Sequence, residues 1–206
     1  MVRESPRTGP STLKRPRATA GRKSATPLLT GVSCDTGHGR TTVVIPREFP
    51  NSATEVWSLI TKPTELGAWA PYTADRDLSR VGRATVTMLD GENAVQVDLP
   101  SVVFTADAPR ILEYSWGDDT VTWTVEELET DARSPRTRLT LRQTLADSAM
   151  ASAVAAGWHL CLDVAVGVLD GHPKPAIRGM DAMEFGWADL NRRYAAKLGV
   201  EPTRIG

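Results

Sequence analysis

The spacing of hydrophobic positions changes several times along the chain, and each change marks an element. Thr41 to Ile45 (TTVVI) is short and β-branched, which predicts a strand ending at Pro46. Ser52 and Glu55 form a capping-box pattern ahead of Val56, Trp57, Leu59 and Ile60, which predicts a helix. Thr61 and Pro63 then open a second short helix carrying Leu66 and Trp69. From Arg83 the spacing drops to two. Ala84, Val86 and Met88 share one face, and Val95, Val97 and Leu99 follow the turn at Asp90-Gly91. Val102 to Thr105 reads as a continuation past a bulge. Leu112, Tyr114 and Trp116 alternate next, then Val121, Trp123 and Val125 beyond Gly117, then Leu139, Leu141 and Leu145.

After the last strand the spacing becomes three and four. Met150, Val154, Trp158, Cys161, Leu162, Ala165, Val168 and Leu169 fall on one stripe of a long helix spanning Met150 to Asp170. Pro173 and Pro175 end it, and Met183, Trp187, Leu190, Tyr194 and Leu198 predict a second helix from Asp181 with Gly199 as its C-cap. Short connections between alternating segments call for antiparallel hairpins, so the order of β, two α, a run of β and a long α predicts an α+β fold.

Met1 to about Thr36 holds no aromatic residue and is rich in Pro, Ser, Thr, Gly and Arg, so residues 1–38 are expected to be a disordered tail. Residues 39–199 form the predicted domain and residues 200–206 a C-terminal tail. The overall net charge of -1 conceals an asymmetry. Residues 1–33 carry seven basic side chains against one acidic, and the remaining 17 basic and 24 acidic side chains give the rest a net charge of -7. A domain this acidic repels phosphate backbones, which argues against nucleic acid as its partner. The basic tail lacks the apolar core of a secretory signal, and its prolines would break a transit-peptide helix. Contact with nucleic acid or an anionic surface, and a plain solvated tail, remain as readings of it.

No apolar run approaches the length of a bilayer span, so no membrane span is expected. Cys34 and Cys161 make neither a disulfide framework nor a CxxC pair, and a reducing cytoplasm is the expected setting.

Four segments together resemble a known family: Phe49–Trp69 (FPNSATEVWSLITKPTELGAW), Asp107–Trp116 (DAPRILEYSW), Val121–Leu128 (VTWTVEEL) and Gly157–Asp163 (GWHLCLD). In this order they resemble the START/SRPBCC superfamily, in the branch similar to the C-terminal domain of the heat-shock-protein-90 ATPase activator. The resemblance covers about residues 41–198. It implies the helix-grip fold, a curved antiparallel sheet around a long C-terminal helix with a cavity between them. It also implies a choice of roles: small-ligand binding, chaperone association, or cyclase or hydrolase chemistry. No family-wide catalytic residue carries over, and the fold alone does not choose among the roles.

Candidate chemistry narrows the choice. Six Trp stand beside only three Phe and three Tyr. Large flat rings suit an apolar pocket as well as a core. Trp69, Tyr114, Trp116, Trp123, Trp158 and Leu162 are the expected ligand-binding residues, for a small apolar molecule such as a lipid, an aromatic or a polyketide-like compound. Gly157 inside the long helix costs about 1 kcal/mol relative to Ala, which implies either a close backbone approach or room beside Trp158. His159 and Asp163, one turn apart, could form an oriented general base, but residue 159 lies off the apolar stripe and is expected to point outward. The facing of Asp98, Glu113 and Arg142 depends on register; Arg142 is either solvated or a clamp for an acidic ligand. A metal site from His159, Asp163, His172 or Cys161 has no recognised ligand spacing, and no motif asks for a cofactor. The expectation is a non-catalytic binding domain.

Overall fold

Described residues of the computed structural model are 27–37, 39–89, 97–128 and 135–204. Among them eight strands form one antiparallel sheet: β1 (Ser33–Gly37), β2 (Arg40–Phe49), β3 (Tyr72–Ala74), β4 (Gly82–Met88), β5 (Val97–Asp107), β6 (Ile111–Trp116), β7 (Asp119–Leu128) and β8 (Arg136–Leu145). Their spatial order is β1-β2-β8-β7-β6-β5-β4-β3. Helices α1 (Ala53–Thr61) and α2 (Pro63–Trp69) link β2 to β3, and α3 (Ala151–Leu169) and α4 (Trp187–Leu198) close the chain.

Period-two alternation puts one row of apolar side chains on the inner face of the sheet. Ile45, Leu141, Trp123 and Leu112 stand in register across β2, β8, β7 and β6, and all four are buried. The register between β5 and β6 slips between Val103 and Thr105, which leaves Phe104 as an extra, half-exposed residue. A bulge of this kind bends a strand and increases its twist. Helix α3 packs on the inner face, and α4 packs on α3 from the other side. This is the helix-grip fold.

The helices begin and end where the side chains dictate. Ser52 caps α1 in a complete capping box with Glu55. Helix α3 ends in a Schellman motif: the His172 N–H reaches the Gly167 carbonyl at 2.8 Å while Gly171 takes φ 72°. Gly167 is required there, because a Cβ would lie 2.8 Å from the His172 carbonyl oxygen.

Several boundaries differ from the sequence reading. Strand β2 passes through Pro46, since its pairing with β1 stops at Val44 and no ladder bond on that side is lost with the missing N–H. Helix α4 begins at Trp187; Asp181 lies in a separate 3-10 turn, Gly179–Met183. Val95 and the Asp90-Gly91 turn lie outside the described residues.

Neither tail boundary holds. Cys34 and its neighbours pair with β2, Leu29 and Val32 are buried, and the Leu29 N–H donates to the Tyr194 hydroxyl at 3.1 Å. At the other end Thr203 donates to the Ala149 carbonyl at 2.7 Å and its own carbonyl accepts from Asn191. Residues 1–26 lie outside the described residues.

Ser148–Leu169, the 3-10 turn plus α3, is in fact long and apolar enough to cross a membrane by length and composition. The sheet and α4 enclose it instead, and it serves as the core helix.

Candidate functional site

Six aromatic rings converge where α3 crosses the sheet. Trp158, from α3, lies 5.3 Å from Trp123, 5.9 Å from Trp116, 6.2 Å from Trp69 and 6.4 Å from Tyr72 between ring centroids. Tyr72 in turn lies 6.3 Å from Tyr114. Most of these pairs are edge-to-face, the geometry that ring quadrupoles favour.

The polar tips of the rings find partners inside. Trp69 donates to the Leu59 carbonyl (3.1 Å), Trp123 to the Tyr114 hydroxyl (3.3 Å), and the Tyr72 and Tyr114 hydroxyls meet at 2.6 Å. Trp158 donates to Gln143 Oε1 at 2.8 Å, and Gln143 Nε2 donates to Asp119 at 2.7 Å. Burial pushes the Tyr114 phenol up to about 12 and the Tyr72 phenol well above its ordinary value, so both stay neutral.

This cluster fills the space directly beneath α3. The hollow lies to one side of it, a cavity of about 290 Å³ between α3, Gln143 of β8, Trp116 of β6 and the segment from Ile177 to Trp187. From α3 it is lined by Val154, Gly157, Trp158, Leu160 and Cys161. Two grooves of about 720 Å³ are larger, but neither carries an aromatic ring.

The expected ligand-binding residues therefore divide. Trp116 and Trp158 line the cavity, whereas Trp69, Tyr114, Trp123 and Leu162 are completely buried behind it as core. Gly157 opens onto the cavity: a Cβ there would meet only Trp187 Nε1, at 3.9 Å. Of the two readings of Gly157, room beside Trp158 is the one the geometry supports.

Sequence reasoning missed Trp187 as a cavity residue and missed Arg178 altogether. Arg178 sits in the loop after α3, donates through Nη2 to the Gly67 carbonyl and through Nε to the Ala70 carbonyl at 3.4 Å. It thereby closes the C-terminal end of α2, where a cation is favoured. Its Nη1 donates to no described residue, and no described carboxylate lies within ion-pair distance. Desolvation lowers its guanidinium from the ordinary value. Beside it, burial pushes the Cys161 thiol up to about 12, although the Arg178 charge pulls it down. The thiol is neutral at pH 7.

His159 corrects the expectation that it points outward. It is 1% exposed, because α4 covers that side of α3. Its Nδ1 lies 2.9 Å from the Tyr194 hydroxyl and its Nε2 3.4 Å from Asp163, which Arg47 of β2 meets at 2.8 Å. The Leu29 N–H already donates to Tyr194, so the arrangement that uses every donor has the phenol donating to Nδ1 and Nε2–H donating to Asp163. These groups brace β2, α3, α4 and the N-terminal segment, and none of them lines the cavity.

Burial alone would raise the Asp163 carboxyl, but the His159 hydrogen bond and the charges of Arg47 and Lys174 hold it below its ordinary value. A carboxyl depressed on folding stabilises above its unfolded value and loses that contribution as pH falls through its folded value. Asp163→Asn should therefore cost on the order of 1 kcal/mol at neutral pH, the pair being open to water. In urea titrations the gap to the parent protein should close as pH falls below the ordinary value of 3.8.

Asp98, Glu113 and Arg142 are on the outer face. Asp98 accepts from Thr87, Glu113 accepts from Thr122, and Arg142 meets Asp35 at 3.4 Å, which removes the Arg142 clamp. Among the described residues no group of three or more His, Cys, Asp or Glu is placed to hold a metal ion.

Comparison with known proteins adds to this geometry. The family model described as "Activator of Hsp90 ATPase homolog 1-like protein" matches residues 50–169. None of the curated proteins matches the chain. Among solved structures, CalU16 from Micromonospora echinospora is 20% identical, with 80% of this chain and 94% of that chain covered and a TM-score of 0.56. EF2215 from Enterococcus faecalis, a conserved protein of unknown function, is 13% identical over 81% and 90%, with a TM-score of 0.61. The protein encoded by BPP1335 from Bordetella parapertussis is 18% identical over 80% and 90%, with a TM-score of 0.58. At these identities the likeness is one of fold.

Proposed function

The chain belongs to the family of activator of Hsp90 ATPase homolog 1-like proteins, and from that premise we propose that it binds a small, largely apolar molecule in the cavity beside α3. The observation that carries this is the lining: three indoles, from Trp116, Trp158 and Trp187, around about 290 Å³, with a glycine where a larger residue would have closed the space. Small-molecule sites are concave and mostly apolar, with a few polar groups fixing orientation, and this volume sits at the small end of their range. Two free thiols, Cys34 and Cys161, fit a reducing, cytoplasmic setting.

A thermal-shift screen with aromatic polyketides, steroids and fatty acids tests the reading. A ligand at a hundredfold its Kd stabilises by about 2.7 kcal/mol, which for a domain of this size raises Tm by roughly 5–10 °C. No shift with any of these classes would remove it.

The family description favours a second reading, association with a chaperone of the Hsp90 type. Val102, Phe104 and Ile111, exposed apolar residues of β5 and β6, give such a partner a surface. Retention of purified Hsp90 on the immobilised protein, lost with Phe104→Asp and indifferent to cavity ligands, would favour it.

A further inference from the structure

The polar groups around the cavity are not balanced between donors and acceptors. Gln143 is committed at both ends, accepting from Trp158 and donating to Asp119. Among the lining side chains two N–H donors are left, Nη1 of Arg178 and the indole N–H of Trp187, and neither donates to a described residue. Gly157 keeps the Trp187 N–H uncovered, since a Cβ there would lie 3.9 Å from it.

The charge is equally one-sided. Arg178 is half-buried and has no described carboxylate within ion-pair distance. The group of potentially opposite sign beside it, the Cys161 thiol, is buried and protonated at neutral pH. A partly desolvated guanidinium with a free N–H attracts an anion more strongly than a fully hydrated one does. A planar fork of N–H groups suits carboxylate or sulfonate oxygens, and guanidinium and indole faces suit a flat ring.

We infer that the ligand of this cavity is an aromatic organic anion, its flat body against Trp116, Trp158 and Trp187 and its acidic head on Nη1 of Arg178. The inference rests on the cavity being a binding site and goes further by naming the class of ligand. Neutral sterols and plain hydrocarbons would leave the guanidinium without a counterion, so they bind less well than an acid of the same shape.

Two fluorescent probes that differ in the head group separate the claims: 8-anilinonaphthalene-1-sulfonate, and N-phenyl-1-naphthylamine, which has the same rings without the sulfonate. The protein should bind the sulfonate at least tenfold more tightly than the amine, as a charge-assisted hydrogen bond in a half-dry site allows. That preference should shrink as salt is raised. Arg178→Met should lower sulfonate affinity about tenfold and leave the amine within about twofold, and Arg178→Lys should retain part of the preference. Gly157→Leu, which fills the hollow, should abolish both and so place both probes in this cavity.

Equal or tighter binding of the neutral amine by the parent protein overturns the inference, as does a sulfonate preference that survives Arg178→Met. In either case amine binding lost in Gly157→Leu leaves the apolar cavity standing. Failure of both probes to bind removes the cavity reading and the inference together. Should Arg178→Met unfold through loss of its bonds to Gly67 and Ala70, the preference in the parent protein and its response to salt decide the matter alone.

Discussion

Trp123→Ala should cost about 3–5 kcal/mol of folding stability, the range for deleting a fully buried large aromatic side chain. Trp123 is completely buried. Its ring sits edge-on to Trp69 at 6.1 Å and to Trp158 at 5.3 Å, so the cavity left by Ala is bounded by two other rigid rings that cannot collapse into it. The substitution also removes the Nε1–H donor to Tyr114, whose hydroxyl has no access to water. Against a total stability of about 5–15 kcal/mol this is a large fraction. Equilibrium urea unfolding followed by circular dichroism is the measurement, with Val102→Ala on the outer face, expected within about 0.5 kcal/mol, as the reference. A Trp123→Ala loss below about 1 kcal/mol would mean that the aromatic cluster is not the packed centre of the domain.

Five rings of that cluster were legible in the sequence as a set of residues, Tyr72 being the exception, but not as a place. Alternation in Ile111–Trp116 and Val121–Val125 correctly put Tyr114, Trp116 and Trp123 on one face of adjacent strands, because a two-residue turn at Gly117-Asp118 leaves only one register. Whether such rings pack together or surround a space depends on their volumes and on the curvature of the sheet, which no spacing encodes. The segment from Ile177 to Trp187 walls the space, and its path follows no periodic pattern.

His159 was misplaced for a related reason. A single apolar stripe identifies the buried side only when the helix has one neighbour, and α3 has two, with the sheet on one side and α4 on the other. The side that a stripe model leaves to water is here covered by Tyr194. Arg178 left no signal at all, being one cation in a loop of Pro and Gly. Its role comes from the nearness of the loop to the end of α2, a contact spanning more than a hundred residues. β1 was invisible because SCDTG carries no alternation; its extended form comes from the ladder with β2.

The two interior glycines of α3 should respond oppositely to substitution, and the first of them should control binding. At Gly167 a Cβ would sit 2.8 Å from a backbone oxygen that the helix end holds in place, so Gly167→Ala is destabilising despite the better helix propensity of Ala. At Gly157 the nearest atom is the Trp187 indole nitrogen at 3.9 Å, an ordinary contact, so Gly157→Ala should gain up to about 1 kcal/mol from propensity alone. A longer side chain at the same position extends into the cavity against Trp158 and Trp187. Gly157→Leu should therefore keep or raise Tm while reducing binding of N-phenyl-1-naphthylamine at least tenfold, since the Leu atoms and the probe would share about 290 Å³. Melting curves and probe titrations on the three variants read both effects. The combination of raised stability with lost binding separates a cavity kept open for a ligand from an accidental packing gap. An intact probe affinity in Gly157→Leu would place the probe elsewhere on the protein, and a lower Tm in Gly157→Ala would show that the space beside Trp158 is closed in solution.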